Sequence, residues 1–161
     1  MNPAHTNAMD AFPKRNVAYT YAWDKTMDVE ILRASFKMVE NREPDFAARL
    51  YEILFSRYPQ VRPLFGRNSP ELQQRMLYQA LVAVLDHLED AFWLEDALMK
   101  YGARHAQYGV TEEMYDWFGE CLFAALAEIE GSSWKPPLAA AWSEAYGVIS
   151  GLMKAGAKTH Q

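Results

Sequence analysis

Six stretches with apolar residues three and four apart, each closed by a proline, a glycine or a capping residue, constrain what this chain can fold into. Ile31, Leu32, Phe36 and Val39 form the first stripe. Thr26 can cap it, and Asp28 and Glu30 lie in its first turn, where the helix dipole favours anions. Pro44 suits the first turn of a second helix that buries Phe46, Leu50, Leu54 and Phe55, keeps Tyr51 on the adjoining face and stops near Tyr58-Pro59. Val61 to Phe65 is short and irregular, interrupted by Pro63, and Gly66 to Ser69 reads as a turn. Ser69-Pro70-Glu71 is a helix start of cap, proline and acid; its helix reaches about Leu88 with Gln73, Leu77, Ala80, Leu81 and Val84 on one face. Trp93 to His105 is shorter, Leu94, Leu98 and Tyr101 leading to His105. Thr111 caps the next helix, with Tyr115, Phe118, Leu122, Leu126 and Ile129. After a loop from Gly131 to Pro137, the last helix carries Leu138, Ala141, Trp142, Ala145, Tyr146, Ile149 and Met153.

No strand pattern accompanies these stripes. Six unequal helices with one or two short pieces do not make a simple four-helix bundle, so an irregular, orthogonally packed all-α domain is expected over residues 26–156. Residues 1–25 carry Pro3, Pro13 and no helical stripe; they read as a partly flexible N-terminal extension. Its alternating Tyr19, Tyr21 and Trp23 are expected to pack on the domain, a regulatory or dimer-forming arm being the sharper reading. Residues 157–161 read as a frayed tail.

A formal charge of −5 favours neither nucleic acid nor an anionic membrane surface. Cys121 is the single cysteine, so no internal disulfide can form, as in a reducing compartment; it reads as a small buried hydrophobe. No apolar run approaches the ~20 residues that span a bilayer, and the N-terminus lacks a secretory apolar segment, so a cytoplasmic protein is expected. There is no Gly-rich phosphate loop, no H-E-x-x-H and no paired-cysteine spacing. His5, His87, His105 and His160 are far apart, against a three-histidine zinc site; His87, beside Asp86 and Glu89, reads as a solvated surface residue. The methionines, Met76 and Met114 among them, read as core fillers. Aromatics at 14% suit a core shaped around a large flat ligand, and equally an ordinary helical core.

His105 is the residue that stands out. It falls on the apolar side of its helix, one turn after Tyr101, just before the break at Gly109. A lone histidine on such a face is more often a core residue than a ligand. Neutral imidazole is nevertheless a good haem ligand, and the Tyr101 carbonyl, one turn back, is a ready acceptor for its other nitrogen.

Phe65 after a proline-bearing turn, a long helix with Gln73 and Leu77, then Arg104-His105 and Tyr108-Gly109-Val110 resemble the bacterial globin family, in its branch of flavohaemoglobin globin domains and single-domain Vitreoscilla-type haemoglobins. Leu50-Tyr51-Glu52-Ile53-Leu54-Phe55 resembles that branch's aromatic second-helix motif, and Ala141-Trp142-Ser143-Glu144-Ala145-Tyr146-Gly147 its W-x-x-A-Y-G signature. The likeness covers about residues 28–154, and its spacings agree: 32 residues from Gln73 to His105, fourteen from Tyr51 to Phe65, ten from His105 to Tyr115. The resemblance implies a globin fold, a three-on-three helical sandwich, holding haem b (iron protoporphyrin IX). It implies His105 as proximal iron ligand and Tyr51, Gln73 and Leu77 lining the distal side. Phe65 would wedge the haem, Val110 and Phe118 pack on it, and Tyr101, Arg104 and Tyr115 belong to the cofactor's surroundings.

The chain departs from the flavohaemoglobin pattern twice. Nothing after residue 161 is expected to form a reductase domain, and the glutamate that joins the proximal histidine and tyrosine in that branch is matched here by about Ala157. Reversible ligand binding is therefore expected more than peroxidase-like O–O cleavage. The readings in view are O2 binding for storage or delivery, with NO and CO as further ligands; nitric oxide dioxygenation served by an external reductase; and gas sensing through a partner protein. A globin-like module that has lost haem is disfavoured by Tyr51, Phe65, Gln73 and His105 occurring together. Neither nucleic acid nor membrane is an expected partner, and the chain is expected to be a monomer or homodimer.

Overall fold

A computed structural model describes residues 28–159. Thr26, the alternating rings and the rest of the N-terminal extension lie outside the described residues, as do residues 160 and 161. Six α-helices make up the described chain: α1 (Val29–Asn41), α2 (Glu43–Arg57), α3 (Pro70–Asp86), α4 (Ala91–Gln107), α5 (Glu112–Glu130) and α6 (Pro136–Lys158). Two short 3₁₀ segments, Pro59–Phe65 and Gly131–Ser133, join α2 to α3 and α5 to α6. Among the described residues there is no strand, and no helix is long and apolar enough to cross a membrane.

The helix boundaries follow local chemistry. Asp28 accepts the Ile31 N–H and caps α1, and Ser69 accepts the Leu72 N–H ahead of Pro70. Asp90 accepts the Trp93 N–H, so α4 begins at Ala91, two residues before the apolar pattern indicates. In turn, α3 stops at Asp86 and leaves Leu88 in the turn, and α6 runs to Lys158, two residues into the expected tail.

α2 packs against α3 and α5, and α1 lies on α5 and α6. Leu32, Val39, Phe46, Leu50, Leu94, Leu98, Cys121 and Leu126 are almost fully buried where these helices and α4 meet. One polar chain crosses the core: the Trp142 indole N–H donates to Ser35 Oγ at 2.9 Å, and Ser35 donates to Glu130 Oε1 at 2.5 Å. It ties α1, α5 and α6 together and gives the buried Trp142 N–H, Ser35 hydroxyl and Glu130 carboxyl a partner each.

α4 crosses α6 through two glycines. A Cβ on Gly102 would stand 1.8 Å from the Met153 carbonyl oxygen, and one on Gly156 would stand 2.0 Å from that of Met99. Only backbone without a side chain can approach so closely. This crossing fixes the last turns of α4, where His105 lies.

Candidate functional site

His105 sits in the final turn of α4. Its Nδ1 lies 2.7 Å from the Tyr101 carbonyl oxygen. A carbonyl only accepts, so Nδ1 carries the proton and Nε2 keeps its lone pair. Burial lowers the His105 pKa below the usual histidine value; Arg104 adds to this, and the Tyr101 carbonyl works against it. The ring is thus neutral near pH 7, with one nitrogen anchored and the other available as a donor to a metal. Arg104, one residue before, is exposed.

The chain leaves α4 abruptly. The Tyr108 N–H returns to the Arg104 carbonyl at 3.2 Å, and the Val110 N–H to that of His105 at 3.0 Å. Gly109 has φ +96°, a conformation that side chains disfavour. Val110 follows, half-buried, and Thr111 starts α5 in an extended conformation.

A second cluster forms around Tyr51 on α2. Its ring meets Phe65 edge-on at 5.4 Å and stacks with Phe55 at 5.9 Å; Phe55 and Phe65 meet edge-on at 5.2 Å. Gln73 Nε2, from the first turns of α3, donates to the Tyr51 hydroxyl oxygen at 3.2 Å. Burial pushes the Tyr51 phenol up to about 12, partly offset by that bond, so it stays protonated at any ordinary pH. Leu77, one turn after Gln73, is half-buried against the core. Tyr51, Phe65 and Gln73, drawn from three elements, are thus brought together around the Tyr51 ring.

The two clusters meet at their rim. A Cβ on Gly109 would touch Leu64 Cδ2 at 3.4 Å, and the Arg67 guanidinium lies 4.8 Å from the Tyr108 ring centre. The segment bearing Phe65 therefore rests against the turn that follows His105.

Tyr115 on α5 is buried, and its hydroxyl has no hydrogen-bond partner among the described residues. Desolvation pushes it up to about 12. The charged group over its ring is a cation: Lys154 Nζ lies 6.0 Å from the ring centre and pairs with Asp116 at 3.3 Å. Phe118, half-buried, stacks with Tyr146 at 6.3 Å. Tyr146 donates to the Tyr115 carbonyl at 2.5 Å and fills the space that Gly119 leaves.

Two sequence readings need correction. His87 is no free surface residue: its Nδ1 lies 2.7 Å from the Ala83 carbonyl oxygen, and its ring stacks on Trp93 at 3.8 Å. Met76 is no core filler; it is 46% exposed, and its sulfur takes an N–H from Asn68 at 3.8 Å. Cys121, by contrast, is fully buried as expected. Asn68 also donates to Gln73 Oε1 at 3.3 Å and was missed, since an Asn beside Ser-Pro in a turn carries no signal beyond the turn itself.

A profile of the globin family matches residues 48–153. A flavohemoprotein of Bacillus thuringiensis is 28% identical over 124 residues, 76% of this chain and 30% of that protein's length. The chain thus spans under a third of such relatives. Among solved structures, an engineered carbene transferase made from a Rhodothermus marinus protein taken to be a nitric oxide dioxygenase is 29% identical, covers 83% of this chain and 95% of its own, and superposes with a TM-score of 0.73. A bacterial globin from Campylobacter jejuni is 25% identical, covers 81% of this chain and 94% of its own, and gives 0.69. The six helices are a globin fold, with helical geometry and family profile agreeing over α2 to α6, and the chain belongs to the globin family.

Proposed function

We propose that this chain binds haem b through His105 and holds O2 reversibly. The observation that carries the reading is the state of His105: neutral, its Nδ1–H held by the Tyr101 carbonyl and its Nε2 lone pair without a partner among the described residues. That is the donor a haem iron takes, and the backbone anchor sets the ring's orientation. The residues therefore fit the cofactor. When bound, ferrous haem supplies an iron that takes diatomic gases, O2 with charge shifted onto its oxygens and CO nearly neutral. On this reading Tyr51 and Gln73 provide neutral donors for the polarised ligand, beside the Phe55 and Phe65 rings. Leu77, Val110 and Phe118 supply apolar contact to the flat ring, Phe65 wedges it, and exposed Arg104 suits its carboxylate edge.

The test is a visible spectrum. Protein reconstituted with haem should show a Soret band in ferric, ferrous and oxygenated forms, and His105→Ala should lose most haem retention and change the ferrous spectrum. An unchanged spectrum and unchanged retention in His105→Ala would overturn the assignment.

A second reading has one specific support, the Rhodothermus marinus relative taken to be a nitric oxide dioxygenase. In that reaction NO, O2 and one electron give nitrate, and the electron would come from a separate reductase. Steady-state NO consumption with a supplied reductase decides between the readings: sustained turnover favours the enzyme, a single stoichiometric burst favours the binder.

A further inference from the structure

Asn68 lies in the turn between the Pro59–Phe65 segment and α3. Its amide nitrogen faces two acceptors, Gln73 Oε1 at 3.3 Å and Met76 Sδ at 3.8 Å. Gln73 Nε2 then donates to the Tyr51 oxygen at 3.2 Å. A thioether sulfur accepts and never donates. It therefore selects the nitrogen end of the Asn68 amide, and that nitrogen in turn selects the oxygen end of the Gln73 amide. Gln73 must present its own nitrogen to Tyr51. Tyr51 is the acceptor of the pair, and among the described residues its hydroxyl proton has no acceptor. The opposite polarity would make Tyr51 give that proton to Gln73 Oε1. It would also set the Asn68 oxygen against the Met76 sulfur, two acceptors face to face.

We propose that Asn68 is a positioning residue that fixes the polarity of the Gln73 amide and so keeps the Tyr51 hydroxyl proton free for a gas ligand. The proposal rests on the ligand-facing role given above to Tyr51 and Gln73, and the experiment separates the two.

The variants are Asn68→Asp, Asn68→Leu and Tyr51→Phe in the full chain loaded with haem. The readouts are O2 release, CO release and the infrared C–O stretch of the CO complex. A carboxylate only accepts, so Asn68→Asp takes the Gln73 N–H, turns the amide over and makes Tyr51 spend its proton on Gln73 Oε1. O2 release should then rise about tenfold or more, CO release should stay within about twofold, and the C–O stretch should move in the same direction as in Tyr51→Phe and at least as far. Asn68→Leu carries no charge and frees the amide to take both orientations; it should give two C–O bands, one at the parent position and one displaced to the Asn68→Asp position. If Tyr51→Phe changes O2 release and the stretch while both Asn68 variants keep the parent values, the positioning role is wrong and the Tyr51 role stands. A shift in Asn68→Asp with a single parent band in Asn68→Leu means charge alone acts, and also overturns the proposal. If Tyr51→Phe itself changes nothing, the ligand-facing reading falls and takes this inference with it.

Discussion

Replacing Tyr51 by Phe removes one oxygen and little else. The ring keeps its contacts with Phe55 and Phe65, and among the described residues the only hydrogen bond lost is the 3.2 Å one from Gln73. That loss costs the fold about 0.5–1.5 kcal/mol, so the variant should remain folded and take up haem. A hydrogen bond to a charged partner contributes ~1.5–3 kcal/mol, and each 1.4 kcal/mol is a factor of ten. Removing the Tyr51 donor from a polarised O2 ligand should therefore speed O2 release by about ten- to a hundredfold. Gln73 Nε2, released from the Tyr51 oxygen, can supply part of the missing donor, which puts the expected value near the lower end, about ten- to thirtyfold. CO carries little charge, and its release should change by less than about twofold. Stopped-flow displacement of O2 by excess CO, and of CO by NO, reads both rates on one preparation. Equal O2 release in parent and variant would refute the donor role. Equal acceleration of both gases would also refute it, since it would mean that the hydroxyl acts by bulk.

Three further outcomes are expected. Gly102→Ala puts a methyl 1.8 Å from the Met153 carbonyl oxygen, so α4 and α6 must part; a net loss of about 1–3 kcal/mol in denaturant unfolding is expected, and parent-like stability would show that the helices do not cross so closely. Tyr58→Phe should let the Glu120 carboxyl titrate nearer its ordinary value, because the Tyr58 hydroxyl at 2.5 Å, with Arg57 behind it, holds it below the usual range. A depressed carboxyl contributes stability that is present above its unfolded pKa and lost as pH falls through the folded one, so the variant should lose less on acidification; an unmoved Glu120 titration by carbon NMR would refute the link. Tyr115→Phe removes a buried, unpartnered hydroxyl whose desolvation costs about 1–3 kcal/mol; the haem-free protein should be as stable as the parent or about 1 kcal/mol more so, and a clear loss of stability would reveal a partner for that hydroxyl.

Most of the fold was legible because its determinants are local. Ser69-Pro70-Glu71, Pro44 and Gly109 mark ends of helices through bonds within one turn, and each acts where it is found. The His105–Tyr101 bond was legible for the same reason, a side chain reaching a carbonyl one turn back. What stayed hidden lies between elements. Gly102 and Gly156 look like weak points in two helices until each is seen against the other's backbone. Ser35 and Glu130 look like ordinary surface residues until the core brings them together with Trp142. Asn68 gains meaning only from Gln73 and Met76, one and two turns into the next helix. His87 was misread because its sequence neighbours Asp86 and Glu89 are charged, whereas its ring packs on Trp93 across the turn.

The two halves of the site are built with different electrostatics, and that bears on what the chain can do. Beside Tyr115 the structure places a lysine already paired with Asp116, and the Tyr115 hydroxyl has no hydrogen-bond partner among the described residues. The acceptor on the His105 Nδ1–H is then a backbone carbonyl, a neutral dipole. A carboxylate in that place would draw the proton harder and make the ring a stronger electron donor; a carbonyl chiefly orients it. Around Tyr51 the arrangement is the reverse: Asn68, Gln73 and Tyr51 form a chain of donors in which each link is used and the last proton is left over. On the proposed reading, selectivity among gases therefore comes from the Tyr51 side, while His105 supplies attachment. Substitutions along Asn68, Gln73 and Tyr51 should move O2 relative to CO, whereas substitutions around Tyr115 should move both together.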